Sequence, residues 1–245
     1  MSLTHMRKFT RRHPNCSAHN RLSYDLIADA MEAHRAAFRG VVYDLGCGEM
    51  PYRDWILQTA SSYLGVDWSS TIHDLKADVV SDLNKPLSIP TSVADVVFSM
   101  SVLEHLHAPA VMLGEASRIL KSGGHLIIQV PWQWWVHEAP HDYYRFSPFA
   151  LKKLLGEAGF SDINVSPLGG AFTTLALKFC YISRRCRIGP KFLQPLRKLA
   201  LRPLWWLAQR SAPWLDRLDR DWDRETIGYF VTARKPEQLD VEPVR

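Results

Sequence analysis

The chain has 245 residues, nearly half of them apolar, which is enough to bury a full α/β core and excludes a wholly disordered segment or a small disulfide-stapled scaffold. Its 30 basic and 25 acidic residues leave a net charge of +5, which by itself fits many partners. The cysteines at 16, 47, 180 and 186 form no C-x-x-C pair, so neither a disulfide framework nor a zinc knuckle is expected; the basic, polar first twenty residues lack an apolar core, so no secretory signal is expected either.

In chain order, Leu22, Leu26, Ile27, Ala30, Met31 and Ala37-Phe38 recur at helical spacing and predict a leading helix that caps a cofactor domain. The run from Val41 enters Gly46-Cys47-Gly48, and Pro51 opens a helical segment. A strand ending in a glycine turn at a helix N-terminus lets backbone approach a nucleotide-like cofactor. A G-x-G-x-x-G fingerprint would place glycine where Pro51 stands, which weakens a dinucleotide reading. Tyr63 to Asp67 reads as a second strand ending in an acid suited to ribose hydroxyls. Further strands are predicted at about 79–82, 94–99, 124–130 and 160–165, and helices at about 52–60, 102–106, 109–121 and 148–158. Tyr229 to Ala233 supplies the last strand. The alternation predicts a parallel sheet with helices on both faces.

Three signatures now stand in order: D-x-G-C-G at Asp44–Gly48, V-L-E-H at Val102–His105 and L-K-x-G-G at Leu120–Gly124. With the acid-ended second strand, they resemble the class I S-adenosylmethionine-dependent methyltransferases, particularly the small-molecule branch. The resemblance covers roughly Val41 to Val165 and resumes at Gly228 to Arg234. It implies a Rossmann-like, seven-stranded, mostly parallel sheet with an antiparallel last strand, and S-adenosyl-L-methionine as cofactor. On the matching positions, Asp44 is expected to attract the cofactor's amino group. Gly46, Cys47 and Gly48 give access to its carboxypropyl arm, and any side chain at either glycine would clash there. Asp67 binds the ribose, Trp68 flanks the adenine, Asp82 and Leu83 contact the adenine, and Ser99 and Met100 lie by the sulfonium. Helix capping is the structural alternative for a strand-end aspartate, and it stays open for Asp82.

A hydroxyl acceptor also needs a base, and the densest set of candidates is Trp132 to Phe146, after the fifth strand. His141 and His137 have suitable intrinsic pKa values, and His105 competes with them. Trp132, Tyr143, Tyr144 and Arg145 are the acceptor-binding candidates, with core cover or a structural clamp as the alternative. The P-H-D-Y-Y-R-F-S run resembles segments of family members in bacterial cell-surface saccharide and lipid pathways. Glu104 and His105 are adjacent, which on a helix puts them on different faces, so no metal site is expected from that pair.

The domain plan expected is a cap over 1–40, a methyltransferase core over 41–170, a basic tryptophan-rich helical insertion over 171–226, the final core strand over 227–235 and a tail over 236–245. From Ala171 to Leu215 there are nine lysines and arginines named by Lys178 through Arg210 and no acid, interleaved with leucines and tryptophans. Prolines 190, 195, 203 and 213 are expected to break this stretch into short helices, and Asp216 to Glu225 to form a solvated, salt-bridged helix. The apolar runs are too short to span a bilayer, and three uses compete: contact with an anionic membrane surface, a packed lid, or nucleic acid. The absence of an N/D-P-P-Y-type signature and of a P-C nucleophile argues against nucleic acid. The expectation is a cytoplasmic enzyme, peripheral at the inner membrane face, that methylates a small or lipid-linked acceptor, a saccharide hydroxyl by preference. An inactive cofactor-binding partner protein and an RNA methyltransferase are the alternatives.

Overall fold

Short apolar, β-branched runs bounded by glycine turns build the sheet. Buried on both faces, its central strands read as continuous apolar stretches rather than alternating ones. The computed structural model describes residues 6, 7, 10, 11, 13–69, 76–186, 189, 190, 192 and 194–237. The strands are β1 (Val41–Leu45), β2 (Ser62–Asp67), β3 (Val79–Val80), β4 (Ala94–Met100), β5 (Leu120–Pro131), β6 (Ser161–Pro167) and β7 (Gly228–Arg234). The α-helices are α1 (Arg21–Ala33), α2 (Arg53–Ile56), α3 (Pro109–Ile119), α4 (Pro148–Glu157), α5 (Ala171–Arg185) and α6 (Gln194–Leu215).

The seven strands lie in the order β3-β2-β1-β4-β5-β7-β6, parallel except where β7 enters between β5 and β6. This is the expected Rossmann-like sheet. Asp44 pairs with Gly65 on one side and Phe98 on the other, so the carboxyl ends of β1, β2 and β4 stand together. The strand order reverses between β1 and β4, and ligands of open α/β sheets bind in the crevice at such a switch point.

Boundaries differ from the periodicity where turns intervene. The helix expected over 52–60 is α-helical only across Arg53–Ile56, and 102–106 contains a 3-10 turn, Leu103–His105. β5 starts at Leu120, four residues early, and carries an irregularity: Ala94 pairs with Leu120, but Val96 pairs with His125. Gly123 has a positive φ inside that bulge.

The chain divides into two compact units, one of Met1–His34, Pro131–Trp135 and Pro167–Tyr229, the other of Arg35–Val130, Val136–Ser166 and Phe230–Arg245. In the first unit α1 joins the insertion: the Gln209 side chain accepts from the Leu22 amide and donates to the carbonyls of Ala18 and Trp205. Of the expected short helices, a break does fall around Pro190, between α5 and α6, but Pro203 and Pro213 lie inside the single 22-residue helix α6. Packing overrides the proline penalty here, since Trp205, Gln209 and Ala212 are buried and the Trp205 indole donates to Ser183 Oγ at 2.8 Å.

The acid-rich stretch after α6 is not a helix but two 3-10 turns, Asp216–Leu218 and Trp222–Arg224. Asp216 is buried and caps α5 from a distance. Its carboxylate accepts from the amides of Gly170, Phe172 and Thr173 and from the Thr173 hydroxyl, at 2.5–3.1 Å. A negative charge at a helix N-terminus satisfies orphan amides and meets the positive end of the helix dipole. Gly170 allows the approach, because a Cβ there would lie 2.9 Å from the Asp216 carboxyl carbon.

Replacing Asp216 with alanine strands these donors, and we expect a loss of about 2–4 kcal/mol. Urea unfolding followed by circular dichroism checks this; an unchanged midpoint would remove Asp216 from the capping role.

Candidate cofactor and acceptor site

All the expected cofactor residues belong to the second unit. β1 ends in Leu45, and Gly46 turns the chain with φ +80°. A Cβ on Gly46 would come within 2.3 Å of Val102, so the glycine is required by the neighbouring V-L-E-H turn as well as by its backbone angle. The Gly46 and Cys47 amides both donate to the Val66 carbonyl, at 2.8 and 3.1 Å, which ties the glycine loop to the end of β2. Cys47 is buried, and burial pushes its thiol far up, so it is no nucleophile.

Asp67 is buried at the end of β2. One carboxylate oxygen accepts from the Gly48 amide and the other from the Trp68 amide, both at 2.8 Å. These bonds fix the carboxylate at the rim of the glycine loop, and each oxygen keeps a lone pair for a hydroxyl. Asp44 is wholly buried beneath it and accepts a hydrogen bond from the Tyr63 hydroxyl. Burial raises the Asp44 carboxyl to about 7, against the lowering effect of that bond, and pushes the Tyr63 phenol far up. Ser99 is buried and donates to the Leu45 carbonyl at 2.6 Å, joining β4 to β1. Met100 follows it, half-buried.

Leu83 is buried, whereas the Asp82 carboxylate is held locally by the Asn84 amide and side chain and by Lys85, which keep it below the usual range. Its bonding is that of a turn cap, the structural alternative named for it.

The histidine candidates gather around the turn after β4 and the loop after β5. Glu104 is fully buried in the turn Leu103–His105, and its backbone carbonyl accepts from the amides of Tyr143 and Tyr144. His105 Nε2 lies 3.7 Å and His137 Nε2 3.9 Å from Glu104 Oε1, and Glu138 Oε2 is 3.7 Å from His105 Nε2. Glu104 and His105 thus come within 3.7 Å of each other in a single short turn, which the helix argument for this pair did not foresee. Burial holds the Glu104 carboxyl up to about 8; its own backbone N–H draws the value down without completing a hydrogen bond.

His141 is half-buried, edge-on to Trp68 at 5.1 Å, with Nδ1 3.1 Å from the Tyr143 hydroxyl. The Tyr144 hydroxyl donates to the His107 carbonyl, and its ring stacks on Phe146. Arg145 is clamped two-pronged onto Asp142 at 2.6 and 2.8 Å, which holds that carboxyl down to about 2. Asp142 in turn accepts from the His137 amide. Asp142 and Tyr63 were not singled out in the sequence; the P-H-D-Y-Y-R run contains the first, but nothing local marks either as a partner.

Trp132 belongs to the first unit, its amide on the Ile227 carbonyl and its ring near Tyr229. Trp134 and Trp135 stack on each other and against Tyr181 of α5, so these two serve as core cover within that unit.

Residues 43–128 match the sequence profile of a methyltransferase domain family. A probable S-adenosylmethionine-dependent methyltransferase of Mycolicibacterium smegmatis is 32% identical over 105 residues, 40% of this chain and 40% of that protein. The chain thus covers less than half the length of this curated relative. A SAM-dependent methyltransferase from Archaeoglobus fulgidus superposes with a TM-score of 0.56 at 18% identity, over 86% of this chain and 94% of that one. The phosphoethanolamine N-methyltransferase 2 of Haemonchus contortus, solved with S-adenosyl-L-methionine, gives 0.54 at 20% identity, over 95% and 60%. The fold is therefore that of the class I methyltransferases. Within it, residues 43–128 are similar in sequence to a methyltransferase domain.

The raised carboxyl of Asp44 has a consequence for stability. Between about pH 4 and 7 the unfolded chain has released this proton and the folded chain keeps it, so stability falls as pH rises. Asp44→Asn keeps an acceptor for Tyr63 and removes the titration. The variant should gain on the wild type by a few kcal/mol, in order of magnitude, between pH 4 and 7. Urea midpoints across that range test it, and parallel curves for the two proteins would contradict it.

Proposed function

We propose that the chain binds S-adenosyl-L-methionine at the carboxyl ends of β1, β2 and β4 and transfers its methyl group to a small or lipid-linked acceptor, a saccharide hydroxyl by preference. One observation carries this reading: a buried, amide-anchored Asp67 stands at the rim of a glycine loop, at the sheet's switch point. The residues present fit the group. Asp67 offers acceptors for ribose hydroxyls, the turn at Gly46 and Gly48 brings backbone to the surface, and Asp44 offers a carboxylate that a cationic amino group would return to its ionised form. Trp68 and Leu83 supply apolar cover for a base, and Ser99 and Met100 close the floor. When bound, the cofactor supplies an electrophilic methyl on a sulfonium.

The protein's own contribution is positioning and proton removal. His141 is the preferred base, because it is half-buried beside Trp68 while its backbone carbonyl is held by His105. Tyr143 and Tyr144 are exposed after it and offer faces and hydroxyls to a sugar. Arg145 supports this loop through Asp142 and is the weakest of the acceptor candidates.

A second observation favours an anionic membrane surface as partner. On α5, Phe172, Leu175, Phe179 and Ile182 form an exposed stripe at helical spacing, and on α6 Leu196, Leu199, Trp206, Leu207 and Trp214 are exposed. No acid occurs between Ala171 and Leu215. A cleft in the same unit is lined by Arg21, Arg202, Arg210, Trp206 and Trp214, and its two acids, Asp25 and Asp29, are taken up by Arg11 and Arg7. Among the described residues no helix is long and apolar enough to cross a membrane, so the apolar face would lie on the interface, at the inner leaflet.

Calorimetric titration should show binding of S-adenosyl-L-methionine and none of NAD. Asp67→Asn should weaken it by about 10–100-fold, the worth of charge-assisted hydrogen bonds. Equal affinity in that variant, or binding of NAD alone, would refute the site. For the surface, phosphatidylglycerol vesicles should sediment the wild type at low salt, and Phe179→Glu with Trp206→Glu should release it. Sedimentation that is unchanged in the double variant would end the membrane reading.

A further inference from the structure

We infer that Glu104, His105 and His137 hold a divalent transition-metal ion beside the acceptor loop. Their donor atoms all lie within 4.8 Å of one another. Donors on a tetrahedral zinc-like ion stand about 3.3–3.5 Å apart, given bonds of about 2.0–2.2 Å. The 3.7 and 3.9 Å separations from Glu104 Oε1 to the two Nε2 atoms therefore need only small side-chain rotations.

Two features independent of proximity point to a ligand. Glu104 is fully buried, and among the described residues neither of its oxygens nor His105 Nε2 has a hydrogen-bond partner. Buried acceptors turned toward one another repel unless a cation or a proton lies between them.

The outer atom of the His105 ring is also set for ligation, and that of His137 has a carboxylate within reach. His105 Nδ1 is 2.6 Å from the His141 carbonyl, which only accepts, so the proton sits on Nδ1 and Nε2 carries a bare lone pair. His137 Nδ1 accepts from Arg145 Nη2 at 3.5 Å and lies 3.4 Å from Asp142 Oδ2, so ligation through Nε2 moves this ring's proton to Nδ1, where the Asp142 carboxylate can accept it. Asp142 is itself fixed by Arg145. A carboxylate or carbonyl behind each imidazole is the usual outer support of a metal-binding histidine. Two imidazoles and one carboxylate favour zinc, cobalt, iron or manganese over magnesium or calcium, which prefer all-oxygen sites. Glu138 is placed to join the set, 3.7 Å from His105 Nε2.

The ion's use rests on the methyl-transfer reading: it would take the acceptor's hydroxyl oxygen and lower its proton affinity, the proton passing to His141. The binding itself does not rest on that reading, and the experiment keeps the two apart. The full chain is stripped with EDTA, dialysed against Zn2+ or Co2+ without S-adenosyl-L-methionine, and assayed for bound metal and for the visible spectrum of cobalt. We expect about one ion per chain and the intense bands of a low-coordinate cobalt site. His137→Ala and His105→Ala should each lose more than about 100-fold in affinity, beyond the 10–100-fold typical of outer-shell changes. His107→Ala, a nearby exposed histidine outside the donor set, should keep it. Circular dichroism checks that each variant folds, and if one does not, the wild-type cobalt spectrum decides. No bound ion in the folded wild type, or equal binding by His137→Ala, would overturn the site in favour of a proton on Glu104. Metal binding without cofactor binding would leave the metal site standing and remove the methyl-transfer reading alone.

Discussion

A carboxylate taken out of water must find donors, a cation or a proton. Four of the buried acids among the described residues stand differently against that requirement. Asp216 takes the free amides at the start of α5, and Asp67 takes two loop amides at the end of β2. Asp44 takes one tyrosine hydroxyl, and burial still raises it to about 7. Glu104 has no donor in hydrogen-bond geometry. The series runs from a structural cap, through a carboxylate fixed in place with lone pairs to spare, to a group whose charge is undecided until something arrives. Amide-anchored acids position, and under-satisfied ones respond to ligands.

The sheet sets where that series falls. Because β2, β1 and β4 are neighbours in parallel register, the residues ending them share one edge. The same register places the V-L-E-H turn against the glycine loop, so Val102 fills the space that a side chain at Gly46 would need. The cofactor signature and the histidine cluster are therefore parts of one packed edge, and a change at either strains the other.

The strands and the glycine loop were legible because they rest on local signals, apolar runs, turn glycines and an acid at a strand end, whereas the antiparallel last strand came from the family resemblance. α6 was not legible, because prolines 195, 203 and 213 argue locally for breaks while the contacts that keep it continuous, Gln209 with Leu22 and Trp205 with Ser183, come from elsewhere in the chain. Asp216 read as one of several solvated acids, since its partners lie more than forty residues away. In the candidate site, the positions expected for the cofactor came from the resemblance, and they stand together at the ends of β1, β2 and β4. The meeting of Glu104, His105 and His137 was not legible, because the first two lie in an isolated turn of three residues rather than a regular helix, and a loop more than thirty residues on brings the third.

The two units also differ in what they leave exposed. In the second, the exposed rings of Tyr143 and Tyr144 are anchored through their backbone amides to the Glu104 carbonyl, so the aromatic faces stand on a fixed support. In the first, the inner faces of α5 and α6 are consumed by Thr173, Leu177, Cys180, Trp205 and Ala212, and the outer faces keep Phe179, Leu199, Trp206 and Trp214 in water among arginines. A packed lid would bury one face and present polar groups on the other. Here α5 and α6 instead carry apolar residues on both faces, and neither helix contains an acid, which is the observation on which the proposed membrane contact rests.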